Sequence, residues 1–247
     1  MEHFNNSQQS HEHSLETLNL IYGYDSFLDS LSTVCDMGCG AGRDTYWWAT
    51  LETRDDPPEP RNYIVYAVDR DTSKIEPEVR ELSNVKIIEN DFEEFIIPVK
   101  IDLLWSHDSF NYALNPIKTL SNWNRQMNQD GMLVMILPQH SGVRHNRLFN
   151  NVYSHRFYNY NISSLTHMLA ISGFDCHDAY MCQTDNWLQV GVYKISEPLD
   201  PHTTTLYDLV DLGRLNKSAV ESVNQFGYLR QEDLIYPWLD KDFKRFL

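Results

Sequence analysis

The chain has 247 residues, 42% hydrophobic and 22% charged, proportions of a soluble globular protein that exclude a disordered, collagenous or fibrous chain. The 20 Lys and Arg residues against 35 Asp and Glu give a formal charge of −15, a field that repels a polyphosphate backbone and argues against nucleic acid as a partner. The longest uninterrupted apolar stretch, Met132–Leu137, is far below the roughly 18 residues of a membrane span.

Residues 1–14 are rich in Asn, Gln, Ser and His and have little to bury, so a mobile arm or a lid is expected there. They contain neither a basic nor an apolar leader segment, and a cytoplasmic location is expected. From Leu15, the residues Leu18, Tyr22, Tyr24, Phe27, Leu28 and Leu31 recur at helical spacing, with Gly23 as an interruption. Alternating units follow: an apolar run at Val34–Met37, helix-compatible residues Asp44–Leu51, and a run Tyr63–Val68 ending in Asp69. Further strand-like runs are Val85–Ile88, Ile101–Trp105 and Met132–Leu137, with a helical segment Ile117–Met127 before the last. Continuous apolar runs separated by crossovers predict a doubly wound α/β sheet. A helix over Ser163–Ser172 stops at Gly173-Phe174. Cys176–Met181 and Trp187–Lys194 are then joined by a link too short for a helical crossover, so an antiparallel hairpin closes a seven-stranded sheet. Beyond Ser196, two helix-like segments, Leu206–Leu215 and Lys217–Gln225, precede the aromatic tail YPWLDKDFKRFL. The expected organisation is an arm (1–14), one cofactor-binding domain (15–196) and a C-terminal helical extension (197–247) packed on or beside it, a candidate cap or homodimer arm.

The strongest local signal is Val34-Cys-Asp36-Met-Gly38-Cys39-Gly40-Ala-Gly42-Arg-Asp44: a strand, an acid, then alternate glycines opening a helix. Alternate glycines let the backbone turn tightly and approach a ligand, and the helix start offers free N–H groups. A dinucleotide pattern requires its third glycine at position 43, where Arg43 stands. A nicotinamide reductase is therefore a weak alternative. Asp36 suits a ligand's ammonium group better than a pyrophosphate.

The segment DMGCGAGRD resembles the first motif of class I S-adenosylmethionine-dependent methyltransferases, and the strand plan over residues 34–194 is the one that family uses. The resemblance implies S-adenosyl-L-methionine as cofactor, cradled by Gly38, Cys39, Gly40 and Gly42. It places Asp69, ending the second strand, on the ribose hydroxyls, where a carboxylate accepts from both, with Arg70 flanking the adenosine. It puts Asp91 on the adenine amino group with Phe92 over the ring, and Ser106 and His107 in the loop after the fourth strand, beside the methionine end. It matches MNQDGMLVMILP to a helix, a turn at Asp130-Gly131 and the fifth strand.

His107 is the first candidate for a general base, with Asp108 to orient it, and His140 is the second catalytic candidate. His145 and His155 read as loop histidines, and Tyr153, Phe157, Tyr158 and Tyr160 as packing of an insert more than as pocket walls. No metal site is expected, since His3, His11 and His13 lie in the polar arm, and the four cysteines form no CxxC pair and fit reduced thiols. Asp56-Pro57-Pro58 lies before the second strand and ends in Glu59 rather than an aromatic residue, so it reads as a loop, and no Pro-Cys nucleophile is present. Both signatures of base methylation are absent. The expected activity is methyl transfer to an O, N, S or carboxylate acceptor on a small molecule. The alternative is a non-catalytic cofactor-binding scaffold acting through a protein partner.

Overall fold

The computed structural model describes residues 25–53, 55–138, 160–183 and 187–226. Seven strands, β1 (Thr33–Met37), β2 (Ile64–Asp69), β3 (Val85–Glu89), β4 (Ile101–His107), β5 (Met127–Pro138), β6 (Tyr180–Gln183) and β7 (Trp187–Tyr193), form one sheet in the order β3-β2-β1-β4-β5-β7-β6. The first five strands run parallel, and β7 runs antiparallel to both β5 and β6. The expected doubly wound sheet with a terminal antiparallel hairpin is thus the architecture of the molecule. The helices are α1 (Asp25–Ser30), α2 (Arg43–Ala49), α3 (Pro77–Glu81), α4 (Pro116–Gln126), α5 (Ile162–Ile171), α6 (Leu206–Asp211) and α7 (Lys217–Phe226). Among the described residues, no helix is long and apolar enough to cross a membrane.

Local chemistry sets the helix boundaries. The Asn115 side chain accepts from the Lys118 N–H and Pro116 follows at the first helical position, which starts α4 where the loop after β4 ends. α5 begins at Asn161, whose side chain accepts from the Ser164 N–H at 2.8 Å. It ends as Gly173-Phe174 predicts: the Gly173 and Phe174 N–H groups donate back to the Ala170 and Leu169 carbonyls, closing a Schellman turn. Thr205 and Asp208 form a reciprocal capping box at the start of α6.

Because strand side chains alternate between faces, each strand feeds two cores. Cys35, Met37, Leu104, Leu133, Met135 and Leu137 join the larger cluster, which includes Leu165 and Leu169 of α5 and Leu209, Leu215 and Ala219 of the C-terminal extension. Val34, Leu103, Trp105, Val134 and Ile136 point to the other face, against Leu28 and Trp48. There Trp48 packs edge-on to Trp105, with ring centroids 5.5 Å apart. A buried Trp of this kind contributes about 3–5 kcal/mol, and it seats α2 on the sheet.

The structure differs from the sequence-based reading in where two strands begin. β5 starts at Met127, not Met132: Asp130 takes a left-handed conformation (φ 62°), so the chain kinks at a register shift between Ile101 and Leu103 and continues as strand. Gly131 serves close approach there, since a Cβ on it would lie 3.0 Å from the Asn128 and Ile101 carbonyl oxygens. β6 starts at Tyr180, because Cys176 is drawn off the sheet by its N–H bond to the Arg214 carbonyl. Residues 90–100 cross from β3 to β4 through turns rather than a helix. The N-terminal arm, the first part of the lead-in helix, the insert with His140, His145 and His155, and the aromatic tail lie outside the described residues.

Candidate active site

The carboxyl ends of β1, β2 and β4 converge on the glycine turn. Gly38, Gly40 and Gly42 all have positive φ, 73°, 54° and 85°, which L side chains rarely tolerate. A Cβ on Gly38 would overlap the side chain of Ser109, whereas one on Gly40 would meet no atom of the described residues within 4 Å. Among the described residues, the space over the middle of the turn is therefore open, while its base is packed. The Gly38 and Cys39 N–H groups both donate to the Val68 carbonyl, at 2.8 and 3.1 Å, binding the turn to β2. Burial, reinforced by Asp36 and Asp69, pushes the Cys39 thiol well up, and this keeps it a neutral thiol.

Asp69 ends β2 with one protein donor on each oxygen: the Gly40 N–H on Oδ2 at 2.8 Å and the Asp71 N–H on Oδ1 at 2.9 Å. A carboxylate has about four acceptor sites, so both oxygens retain lone-pair capacity toward the space above Gly40. Asp71 caps the short helical turn after it, accepting from the Ser73 N–H. Farther along, Arg70 pairs with Asp91 at 2.8 Å on the surface, and Asp91 also accepts from the Glu93 N–H at 2.9 Å. Phe92, 8% exposed, lies in the larger core with its ring 5.9 Å from Trp123, so little of it is left for a ligand. Glu93 accepts from the Leu114 and Asn115 N–H groups at 2.6 and 3.2 Å and so straps the loop after β3 to the loop after β4.

Strand parity sorts the end of β4. Ser106 and His107 close the strand rather than opening the loop. Ser106 is fully buried and shares a 2.8 Å hydrogen bond with Ser109, which holds the underside of the glycine turn. His107 faces the opposite way, with Trp105, toward α2. There its Nδ1 lies 2.9 Å from Asp44 Oδ2, and Trp105 Nε1–H donates to the same oxygen at 2.9 Å. Asp108, the expected partner, follows in a left-handed backbone conformation (φ 49°) with its N–H donating to the Ile136 carbonyl, and its charge adds to the field at His107. The indole of Trp187, at the start of β7, meets the His107 ring edge-on at 5.6 Å. Burial opposes charge on His107, but the bond to Asp44 and the fields of Asp44, Asp108 and Asp36 outweigh it, so its pKa is raised.

Asp36, 2% exposed, accepts from Thr45 Oγ1 at 2.6 Å. Burial first, and then the like charges of Asp44 and Asp69, push its carboxyl up to about 7, against the opposing Thr45 bond and His107. With Asp36 beneath the glycine turn and Asp69 beside it the site is acidic, which suits the ammonium of an aminoacyl nucleoside and does not suit a pyrophosphate. The residues present fit S-adenosyl-L-methionine: an open glycine cradle, a carboxylate with unused acceptor capacity at the end of β2, and acids toward the strand β4 side. Asp44, Thr45, Ser109, Glu93 and Trp187 escape the motif-based reading. Asp44 reads in the sequence as a first-turn helix acid, and the one available signal is its i, i+4 spacing to Trp48, which turns it toward the sheet. Among the described residues, no group of three or more His, Cys, Asp or Glu side chains is arranged to hold a metal ion.

Residues 28–194 match the family model described as a methyltransferase domain. No curated protein sequence matches the chain. Among solved structures it is similar to phosphoethanolamine N-methyltransferase 2 of Haemonchus contortus in complex with phosphomonomethylethanolamine and S-adenosylhomocysteine, at 14% identity and a TM-score of 0.55 over 67% of this chain and 49% of that one. This chain therefore spans about half the length of that enzyme. It is also similar to magnesium protoporphyrin IX methyltransferase of Synechocystis PCC 6803 with bound S-adenosylhomocysteine (14% identity, TM-score 0.56, 75% and 84% covered). A third likeness is to a SAM-dependent methyltransferase of Aquifex aeolicus (17% identity, TM-score 0.51, 68% and 86% covered).

Proposed function

Because the chain belongs to the class I S-adenosylmethionine-dependent methyltransferases, we propose that it transfers the cofactor's methyl group to an O, N, S or carboxylate acceptor on a small molecule. The observation that supports this most is the space that the described residues leave open over Gly40, beside a carboxylate at Asp69 whose two oxygens, among the described residues, each carry one N–H donor from the neighbouring turns. In this reading Asp69 holds the ribose hydroxyls, Asp91 the adenine amino group, with Arg70 and Phe92 beside it, and Asp36 the ammonium. Gly38, Cys39, Gly40 and Gly42 supply the backbone cradle and Ser106 supports it from below. Bound cofactor supplies an already activated methyl group, so the protein's task is alignment and exclusion of water. His107 is the general base for an acceptor that must lose a proton, and Trp187 forms a wall beside it. His140, outside the described residues, remains a second candidate. The acids around His107 and the chain's −15 charge favour neutral or cationic acceptors over polyanions. Residues 15–196 form the cofactor-binding unit, and the helical extension from residue 197 packs on it, a reading supported by Leu209, Leu215 and Ala219 in the larger core.

The test is incubation of the full chain with labelled S-adenosyl-L-methionine and a panel of amine, hydroxyl, thiol and carboxylate compounds, with products read by mass spectrometry. A methylated product that disappears in His107→Ala, with S-adenosylhomocysteine affinity kept, is the expected result. Binding without any product across the panel would leave the scaffold reading in its place.

A further inference from the structure

We propose that Asp44 is a positioning residue that ties the cofactor turn to the acceptor side of the site by holding His107 through Nδ1. The inference rests on the methyltransferase reading and adds to it the group that sets the base. Asp44 sits in the first turn of α2, yet no side chain caps that helix. Its Oδ2 instead reaches across to β4 and accepts from Trp105 Nε1–H, with His107 Nδ1 at the same 2.9 Å. An ionised carboxylate can only accept, so Nδ1 carries the ring proton and Nε2 is the nitrogen with the lone pair when the ring is neutral. Trp187 against the ring and Trp48 one turn along α2 from Asp44 fix the two partners' directions. The neighbouring Thr45 binds Asp36 at 2.6 Å, so two consecutive residues at the start of α2 are bonded to β1 and β4. Helix α2 follows directly on Gly42, so any shift of the turn on loading moves Asp44 and Thr45 with it. The charged groups facing His107 are Asp44 from α2, Asp108 after β4 and Asp36 from β1.

The experiment uses the full chain with ¹⁵N-labelled histidine, as wild type, Asp44→Asn and Asp44→Ala, with S-adenosylhomocysteine affinity measured by calorimetry. In the wild type, neutral His107 should be a single Nδ1–H tautomer. Asp44→Asn keeps an acceptor oxygen and should keep that tautomer, while the titration midpoint falls by about tenfold or more in proton affinity. Asp44→Ala should lose the tautomer preference. An unchanged midpoint in Asp44→Asn overturns the proposal, as does an intact Nδ1–H tautomer in Asp44→Ala. A tenfold loss of S-adenosylhomocysteine affinity in Asp44→Asn would also overturn it, by assigning Asp44 to the cofactor turn alone. If Asp44→Ala fails to fold, the midpoint in Asp44→Asn still decides. Failure of the wild type to bind S-adenosylhomocysteine would sink the methyltransferase reading while leaving the tautomer measurement readable.

Discussion

Two regions of the molecule bury charge, and they do it in opposite ways. Beside the C-terminal extension, Lys194 (4% exposed) donates to the Asn124 and Met127 carbonyls and to Glu197, at 2.9, 3.4 and 3.0 Å. Arg214 donates to the Ala170, Ile171 and Glu197 carbonyls, at 2.8, 3.2 and 2.7 Å. Each cation sits at a helix C-terminus, α4 or α5, where orphan carbonyls and the helix dipole favour it. At the carboxyl edge of the sheet three acids, Asp36, Asp44 and Asp69, crowd around His107 and outnumber it, and the carboxyl of Asp36 is raised by burial first and by the neighbouring acids second. Matched buried charge holds the fold, whereas mismatched buried charge is tolerated where a cationic ligand is to arrive.

The largest expected effect breaks the matched region. Arg214→Ala removes three charge-assisted hydrogen bonds that tie α5 to the extension and opens a cavity between them, so it should destabilise by about 3–5 kcal/mol. Denaturant titration measures this; a loss below about 1 kcal/mol would mean that the extension is not part of the cooperative unit. The next effect has the opposite sign. An unfolded aspartate titrates near 3.9, whereas Asp36 in the folded chain is held at about 7. Between those values the folded state keeps a proton that the unfolded state loses, so stability falls as pH rises from about 4 to 7 and stays lowered above it. Asp36→Asn, whose amide oxygen still accepts from Thr45, removes that penalty. It should raise stability by on the order of 3 kcal/mol at pH 8, change it little at pH 4, and weaken S-adenosyl-L-methionine binding. Equal melting shifts at both pH values would contradict the assignment. Third, Asp69→Ala should cost about 10- to 100-fold in S-adenosylhomocysteine affinity by calorimetry, the worth of one or two charge-assisted hydrogen bonds. Unchanged affinity would remove Asp69 from the ribose.

The mismatched region was largely written in the sequence, and the matched one was not. Buried parallel strands appear as apolar runs, and Gly38, Gly40 and Gly42 mark the turn because few other residues adopt its backbone, so β1, α2 and Asp69 were readable locally. Asp44 meeting His107 was not, since they are 63 residues apart and meet only once Trp48 has seated α2. The early start of β5 was hidden by Asn128, Gln129 and Asp130, polar residues at a kink that only the backbone conformation explains. Lys194 and Arg214 read as the end of a strand and the end of a helix-like segment. Their role depends on which helix C-termini the tertiary fold brings to them, and no period or motif carries that.

The smallest expected effect tests whether exposure alone separates the two kinds of charge. Arg70 and Asp91 lie 2.8 Å apart, closer than many buried contacts, but their side chains are 68% and 36% exposed. Water and salt screen such a pair, and its worth is about 0–1 kcal/mol. Arg70→Ala should therefore lower stability by less than about 1 kcal/mol and S-adenosylhomocysteine affinity by about threefold or less. Both differences should vanish near 1 M salt, where the screening length falls to about 3 Å. A salt-insensitive loss of tenfold or more would place Arg70 in direct contact with the adenosine. The division between matched and mismatched charge would then have to extend to the surface, with proximity to the ligand rather than burial deciding which charges matter.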